Sequence, residues 1–175
     1  MADGRVLVAG VGNVFLGDDG FGVEVARRLA AEPLPDGVEV ADFGIRGVHL
    51  AYQLLDGYDA LILVDSVSRG GEPGTVYVLE PDLDAVEPAG SNAETPLMDA
   101  HGMTPDAVFS LLKALGGSVD RALIVGCEPA EITERMGLSE TVGAAVEPAV
   151  HAVRDLLTGP PPATDQPSRG QGVNR

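Results

Sequence analysis

Three titratable residues, far apart in the chain, carry the chemistry this sequence offers. Asp19 follows a short apolar run, Val6-Leu7-Val8-Ala9, and a glycine turn, Gly10-Val11-Gly12-Asn13. Asp65 ends the most continuously apolar run, Ala60–Asp65 (ALILVD), and His101 stands just before a helix that begins near Thr104. Two carboxylates and one imidazole make a mixed oxygen and nitrogen donor set. Such a set suits hard or borderline divalent metals, Zn, Ni, Mn and Fe among them, and leaves positions open for water or a substrate group. A strand feeding a glycine turn and a helix more often marks a phosphate site, because helix N-termini attract anions. Here Asp18 and Asp19 put negative charge where the phosphate would sit, which favours a cation. A full Gly-x-Gly-x-x-Gly dinucleotide fingerprint needs its third glycine where Phe15 stands.

Each residue has a plainer reading. Asp18 is most simply a helix N-cap, and Asp19 could decorate the first turn of a helix dipole. His101, among Asp99, Ala100 and Gly102, fits a surface loop. Asp65 is harder to dismiss, because a carboxylate at the end of a buried strand is unfavourable unless it is paired, hydrogen-bonded or metal-bound. His151, four residues after Glu147, reads as a solvent-side helical pair. His49 has no nameable partner. Cys127, after Leu123-Ile124-Val125-Gly126, reads as a small buried apolar residue, and a nucleophile there would need a base the sequence does not indicate.

The elements that must position these residues alternate between strand and helix. Strands are predicted at Arg5–Ala9, Val38–Phe43, Ala60–Asp65, Thr75–Leu79 and Arg121–Cys127. Helices are predicted at Asp19–Glu32, Val48–Leu55, Thr104–Leu115 and from Ser139 to about Leu157, with Thr104 and Ser139 as N-caps. The link from Asp65 to Thr75 is too short for a crossover helix, so Thr75–Leu79 should run antiparallel, at an edge. Pro81–Ala100 is acidic and weakly periodic, and a long loop of this kind is often functional. The pattern predicts an α/β fold, a three-layer α/β/α sandwich around a mostly parallel sheet. Right-handed crossovers put the carboxyl ends of its parallel strands along one edge, where open α/β sheets bind ligands. The folded domain is expected over residues 1–158, with 159–175 as a disordered Pro- and Gly-rich tail.

Composition bounds the partners. The 175 residues are 45% hydrophobic but only 4% aromatic, so the core must be built from Val, Leu, Ala and Ile. With 27 acidic and 11 basic residues the formal net charge is −16, and no basic stripe is visible. Nucleic acid and anionic membranes are therefore poor partners. One cysteine allows neither an intrachain disulfide nor a zinc-binding Cys pair. The polar start and the short apolar run after it suit neither a signal segment nor a membrane span, so a cytoplasmic location is expected.

The ordered set of motifs resembles the nickel–iron hydrogenase maturation endopeptidases. The likeness is carried by Gly10-Val11-Gly12-Asn13 with Asp18-Asp19-Gly20-Phe21-Gly22, by Asp42-x-Gly44-x-x-Gly47 and by Leu63-Val64-Asp65. Asp99-Ala100-His101-Gly102, Val125-Gly126-Cys127-Glu128-Pro129, Gly137-Leu138-Ser139 and Val146-Glu147-Pro148-Ala149 continue it, from about Arg5 to Leu157. One departure is Phe43, where the family more often has glycine. The resemblance implies a five-stranded mixed sheet whose fourth strand is antiparallel. It implies removal of a C-terminal extension from a hydrogenase large-subunit precursor, after nickel insertion. It also implies Asp19, Asp65 and His101 as the metal-contacting and catalytic residues, with the metal, nickel, carried by the substrate. Gly44 and Arg46 are candidates for contact with the substrate's extended tail, although a surface role for Arg46 is equally open. A monomer is the simplest expectation. Three rivals remain: a nucleotide- or dinucleotide-binding protein, for which Asp42 would be the ribose acid; a metallopeptidase acting on free peptides; and a non-catalytic metal-sensing assembly factor.

Overall fold

The three central strands are buried on both faces, and that sets the architecture. A computed structural model describes residues 4–90 and 104–159; His101 and the expected tail beyond residue 159 lie outside them. The strands are β1 (Val6–Val11), β2 (Val38–Gly44), β3 (Ala60–Ser66), β4 (Val76–Leu79) and β5 (Arg121–Cys127). They form one sheet in the order β2-β1-β3-β5-β4, parallel except for the antiparallel pair of β4 with β5. The antiparallel edge strand and the mostly parallel five-stranded sheet are as the sequence leads one to expect. Alternate residues of a strand point to opposite faces, so each strand feeds two cores. Val6, Val8, Ile62, Val64, Leu123 and Val125 pack against helices α1 (Phe21–Ala30) and α5 (Val146–Thr158). Leu7, Ala9, Leu61, Leu63 and Ile124 pack against α2 (Gly47–Leu54) and α3 (Pro105–Ala114). The result is a three-layer sandwich in which the central strands show no polar alternation.

Two helix boundaries differ from the sequence reading, each for a local reason. The segment after the glycine turn does not enter a helix at Asp19. It makes a tight 3-10 turn over Gly17–Gly20, opened by Gly17 at φ +62°, and α1 starts at Phe21. The last helix is not continuous from Ser139 either. A short helix, α4 (Glu140–Gly143), ends before α5 begins at Val146. Pro148 lacks an N–H, and its ring would strike the carbonyl four residues back, so it is tolerated only in the first turn of a new helix. Thr104 and Ser139 are N-caps, as expected; their hydroxyls accept from the N–H groups of Ala107 and Val142. The described part of the long loop lies on α3, with Ala89 N donating to the Ser110 carbonyl at 2.9 Å and Lys113 Nζ to that of Val86 at 2.6 Å.

The start of α1 is pressed onto the carboxyl edge of the sheet, and this brings the first acid to the second. A Cβ at Gly22 would stand 2.0 Å from the Val64 carbonyl oxygen and 2.5 Å from that of Val11. Only glycine allows that approach. Gly22→Ala should therefore lower the unfolding free energy by about 3 kcal/mol or more. Gly143→Ala, with open space around the new methyl group, should change it by no more than about 1 kcal/mol. Urea denaturation of both variants checks the contrast.

Candidate active site

Asp19 and Asp65 converge at the carboxyl edge of the sheet, where β1 and β3 end side by side. Asp19 sits on the 3-10 turn, folded under the glycine turn that follows β1. Gly12 has φ +136°, and a Cβ there would lie 1.9 Å from the Asp19 carbonyl oxygen, so no larger residue fits. Both carboxylate oxygens of Asp19 are used. Asn13 N donates to Oδ2 at 2.7 Å, and Ser66 Oγ donates to Oδ1 at 3.2 Å. Asp65 follows the apolar part of β3, opposite Gly126 of β5, and its Oδ1 accepts from Ser66 N at 2.8 Å. Burial pushes the Asp65 carboxyl well above its usual range, and the charge of Asp19 pushes it further the same way; the hydrogen bond from Ser66 N opposes both only in part. Among the described residues no Lys or Arg forms an ion pair with either acid.

A buried carboxyl raised by a neighbouring carboxylate, with no Lys or Arg paired to either among the described residues, suits a bound dication. A dication removes the repulsion and allows both to be charged. The described residues contain no cluster of three His, Cys, Asp or Glu able to hold a metal. The pair supplies two donors, and the expected third, His101, lies outside the described residues.

Asp18 is not the N-cap the sequence suggested. It is fully buried, and its side chain turns away from its own turn to hold the segment after β5. Its carboxylate accepts from Ala130 N and Glu131 N at 2.9 Å, from Ser139 N at 2.7 Å and from Ser139 Oγ at 2.9 Å. Burial would raise this carboxyl, but the bonds from Glu131, Ser139 and Ala130 outweigh it and hold the group below the usual carboxylate range. Four donors converging on one carboxylate satisfy backbone groups of a loop that has few of its own partners. Adjacent acids thus do different work: Asp18 anchors the turn and Asp19 faces Asp65.

The remaining candidates are placed as follows. Gly44 (φ +54°) makes the bend after β2, and its carbonyl accepts from Gly12 N at 2.9 Å, tying that loop to the glycine turn. Arg46 turns back on its own loop, donating to the carbonyls of Phe43 at 3.2 Å and Asp42 at 3.0 Å; Ile45 at the tip is exposed. Asp42 is engaged by Gly44 N at 2.9 Å and lies 3.6 Å from Arg27 Nε. With Asn13 N committed to Asp19 and Asp42 committed to its own loop, the geometry offers little to a dinucleotide. Cys127 is buried, and burial, with Asp18 nearby, pushes its thiol up to about 11, so it is no nucleophile. His49 is exposed, and His151 lies 3.8 Å from Glu147 on the outer face of α5. Two polar residues have roles that the sequence reading did not assign. Ser66 touches both acids, and its only signal is that it follows Asp65. Glu128, buried directly after an apolar strand, accepts from Arg69 N and Gly71 N at 2.9 and 2.6 Å and fixes the loop beyond β3.

The two acids should show opposite pH behaviour. Asp18 has a lowered folded-state pKa, so its stabilisation is present above the unfolded value near 3.8 and is lost as pH falls through the folded value. Asp18→Ala should lose about 3 kcal/mol at pH 7, with the gap to wild type narrowing only below about pH 3.8. Asp65 has a raised folded-state pKa, so wild-type stability declines as pH rises from about 3.8 through the folded value. Asp65→Asn should be more stable at pH 7 by about 1 kcal/mol, or roughly 2–4 °C in Tm for a domain of this size, and the advantage should vanish in acid. Thermal melts from pH 3 to 8 read both.

The chain is similar to known proteins over most of its length. The family model described as hydrogenase maturation protease matches residues 23–156, a span that includes Asp65 and His101 and begins just after Asp19. The hydrogenase 2 maturation protease of Escherichia coli is 34% identical over 155 residues, covering 87% of this chain and 90% of that protein. The solved hydrogenase-maturating endopeptidase HybD from E. coli superposes with a TM-score of 0.65 at 29% identity, covering 85% of this chain and 89% of that one. A hydrogenase 2 maturation peptidase from a Thaumarchaeota archaeon superposes with a TM-score of 0.67 at 32% identity, covering 87% and 97%. With a glycine-packed turn and an edge-facing acid pair on this fold, and with most of the folded chain matched, the protein belongs to the hydrogenase maturation protease family.

Proposed function

We propose that this chain is an endopeptidase that removes the C-terminal extension of a nickel–iron hydrogenase large-subunit precursor, and that it recognises the precursor through nickel already bound there. The observation that carries the reading is the Asp19–Asp65 pair, two facing acids with no basic partner among the described residues. In this reading nickel arrives as part of the substrate, and Asp19, Asp65 and His101 contact it. Its charge allows Asp65 to ionise beside Asp19, so a loaded precursor engages the pair where an empty one does not. Nickel also polarises the scissile carbonyl. A carboxylate accepts a proton from the attacking water and returns it to the leaving amine, and one peptide bond is exchanged for a carboxylate and an amine. In this reading the extended tail of the substrate meets the turn at Gly44 and Arg46, which is joined to the glycine turn by the hydrogen bond from Gly12 to Gly44.

The same reading has the chain act as a monomer in the cytoplasm, without nucleic acid or membrane. In its support, no helix among the described residues is long and apolar enough to cross a membrane, and a net charge of −16 repels polyanions. Processing of a purified nickel-loaded precursor tests the proposal. Asp65→Ala and His101→Ala should each lower the rate by more than about 100-fold while the fold persists. Wild-type processing by both variants would end the proposal. Precursor binding without cleavage by the wild-type chain would favour the assembly-factor reading instead.

A further inference from the structure

We infer that Ser66 is a positioning residue for the acid pair: it bonds both carboxylates at once and fixes the gap between them that a divalent ion enters. The inference rests on the reading of Asp19 and Asp65 as nickel contacts, and it concerns a residue that neither the motifs nor the family likeness singled out.

One residue reaches the two acids through different atoms. The Ser66 backbone N donates to Asp65 Oδ1 at 2.8 Å, and the Ser66 hydroxyl donates to Asp19 Oδ1 at 3.2 Å. Asp19 Oδ2 is already bound to Asn13 N at 2.7 Å. With a donor on each oxygen, the plane of the Asp19 carboxylate is set; with Asn13 N alone it could rotate about that single bond. The Ser66 hydroxyl is therefore the second point that holds the plane.

The backbone on either side leaves Ser66 little freedom. It is the last residue of β3, paired with Cys127 of β5. Val67 N then donates to the Cys127 carbonyl at 2.9 Å, continuing the ladder one residue further. Glu128 holds Arg69 N and Gly71 N just beyond. A Cβ at Gly126, beside Asp65 in the register, would meet the Val67 side chain at 2.6 Å, so that strand can carry no side chain there. A backbone held this way makes the single Ser66 side-chain rotation decide whether Asp19 is braced. Groups that orient metal-binding carboxylates through a second hydrogen bond typically change affinity or activity by about 10–100-fold when removed.

Ser66→Ala removes only the hydroxyl and keeps the N–H on Asp65. Ser66→Thr restores the hydroxyl, with a β-branched side chain that suits a strand end. Calorimetric titration of the full-length protein with nickel chloride gives a readout separate from turnover. Ser66→Ala should bind nickel about 10–100-fold more weakly than wild type, and Ser66→Thr should recover most of that loss, with Tm unchanged to within a few degrees for both. In the processing assay the Ala variant should raise KM for the nickel-loaded precursor more than it lowers kcat. Nickel affinity of Ser66→Ala equal to wild type, no nickel binding by either protein, or a Thr variant as weak as Ala would overturn the inference. Should Asp65→Ala be inactive while Ser66→Ala matches wild type in both assays, this inference alone fails; should Asp65→Ala process normally, the proposed function fails instead.

Discussion

Two carboxylates brought to one edge of the sheet, with no Lys or Arg paired to either among the described residues, are the constraint around which this fold is arranged. Burial and the neighbouring charge both raise Asp65, so the pair weakens the folded state instead of supporting it. Structures retain such an arrangement where it does work, because selection for stability alone would remove it. The surrounding backbone holds the pair in place. Gly12 and Gly22 allow the turn and the start of α1 to press onto the sheet edge. Asp18 ties that turn to the segment after β5 with four hydrogen bonds. Glu128 ties the segment after β3 to the same region.

A division of labour among acids follows. Asp18 and Glu128 are buried, and each is met by several donors, so they act as cross-links between loops. Asp19 is only partly satisfied, and Asp65 has a single hydrogen bond from a backbone N–H among the described residues. The first two supply rigidity at the carboxyl edge, and the second two supply unspent electrostatic demand there. A cation is well matched to such a pair, since it offsets the repulsion between the two carboxylates.

Much of this was legible in the sequence. ALILVD announced a central strand ending in an acid, and the short link to Thr75–Leu79 required an antiparallel edge strand. Phe15 in place of a third glycine, with Asp18 and Asp19 beside it, turned the reading away from phosphate. What stayed hidden was long-range partnership. Asp18 looked like a cap because capping is the local use of an acid at a turn; its real partners lie more than 110 residues away, and no local pattern encodes them. Ser66 was hidden for the same reason, since its hydroxyl reaches a residue 47 positions earlier. The break between α4 and α5 could have been read from Pro148, whose ring forbids a continuous helix there.

The most direct test of the account is the position of a nickel ion in the crystal. Crystals soaked in nickel chloride, measured at the nickel absorption edge, should show one anomalous peak roughly 2.0–2.2 Å from carboxylate oxygens of both Asp19 and Asp65. A peak that avoids either acid, or none at the carboxyl edge of the sheet, would contradict it.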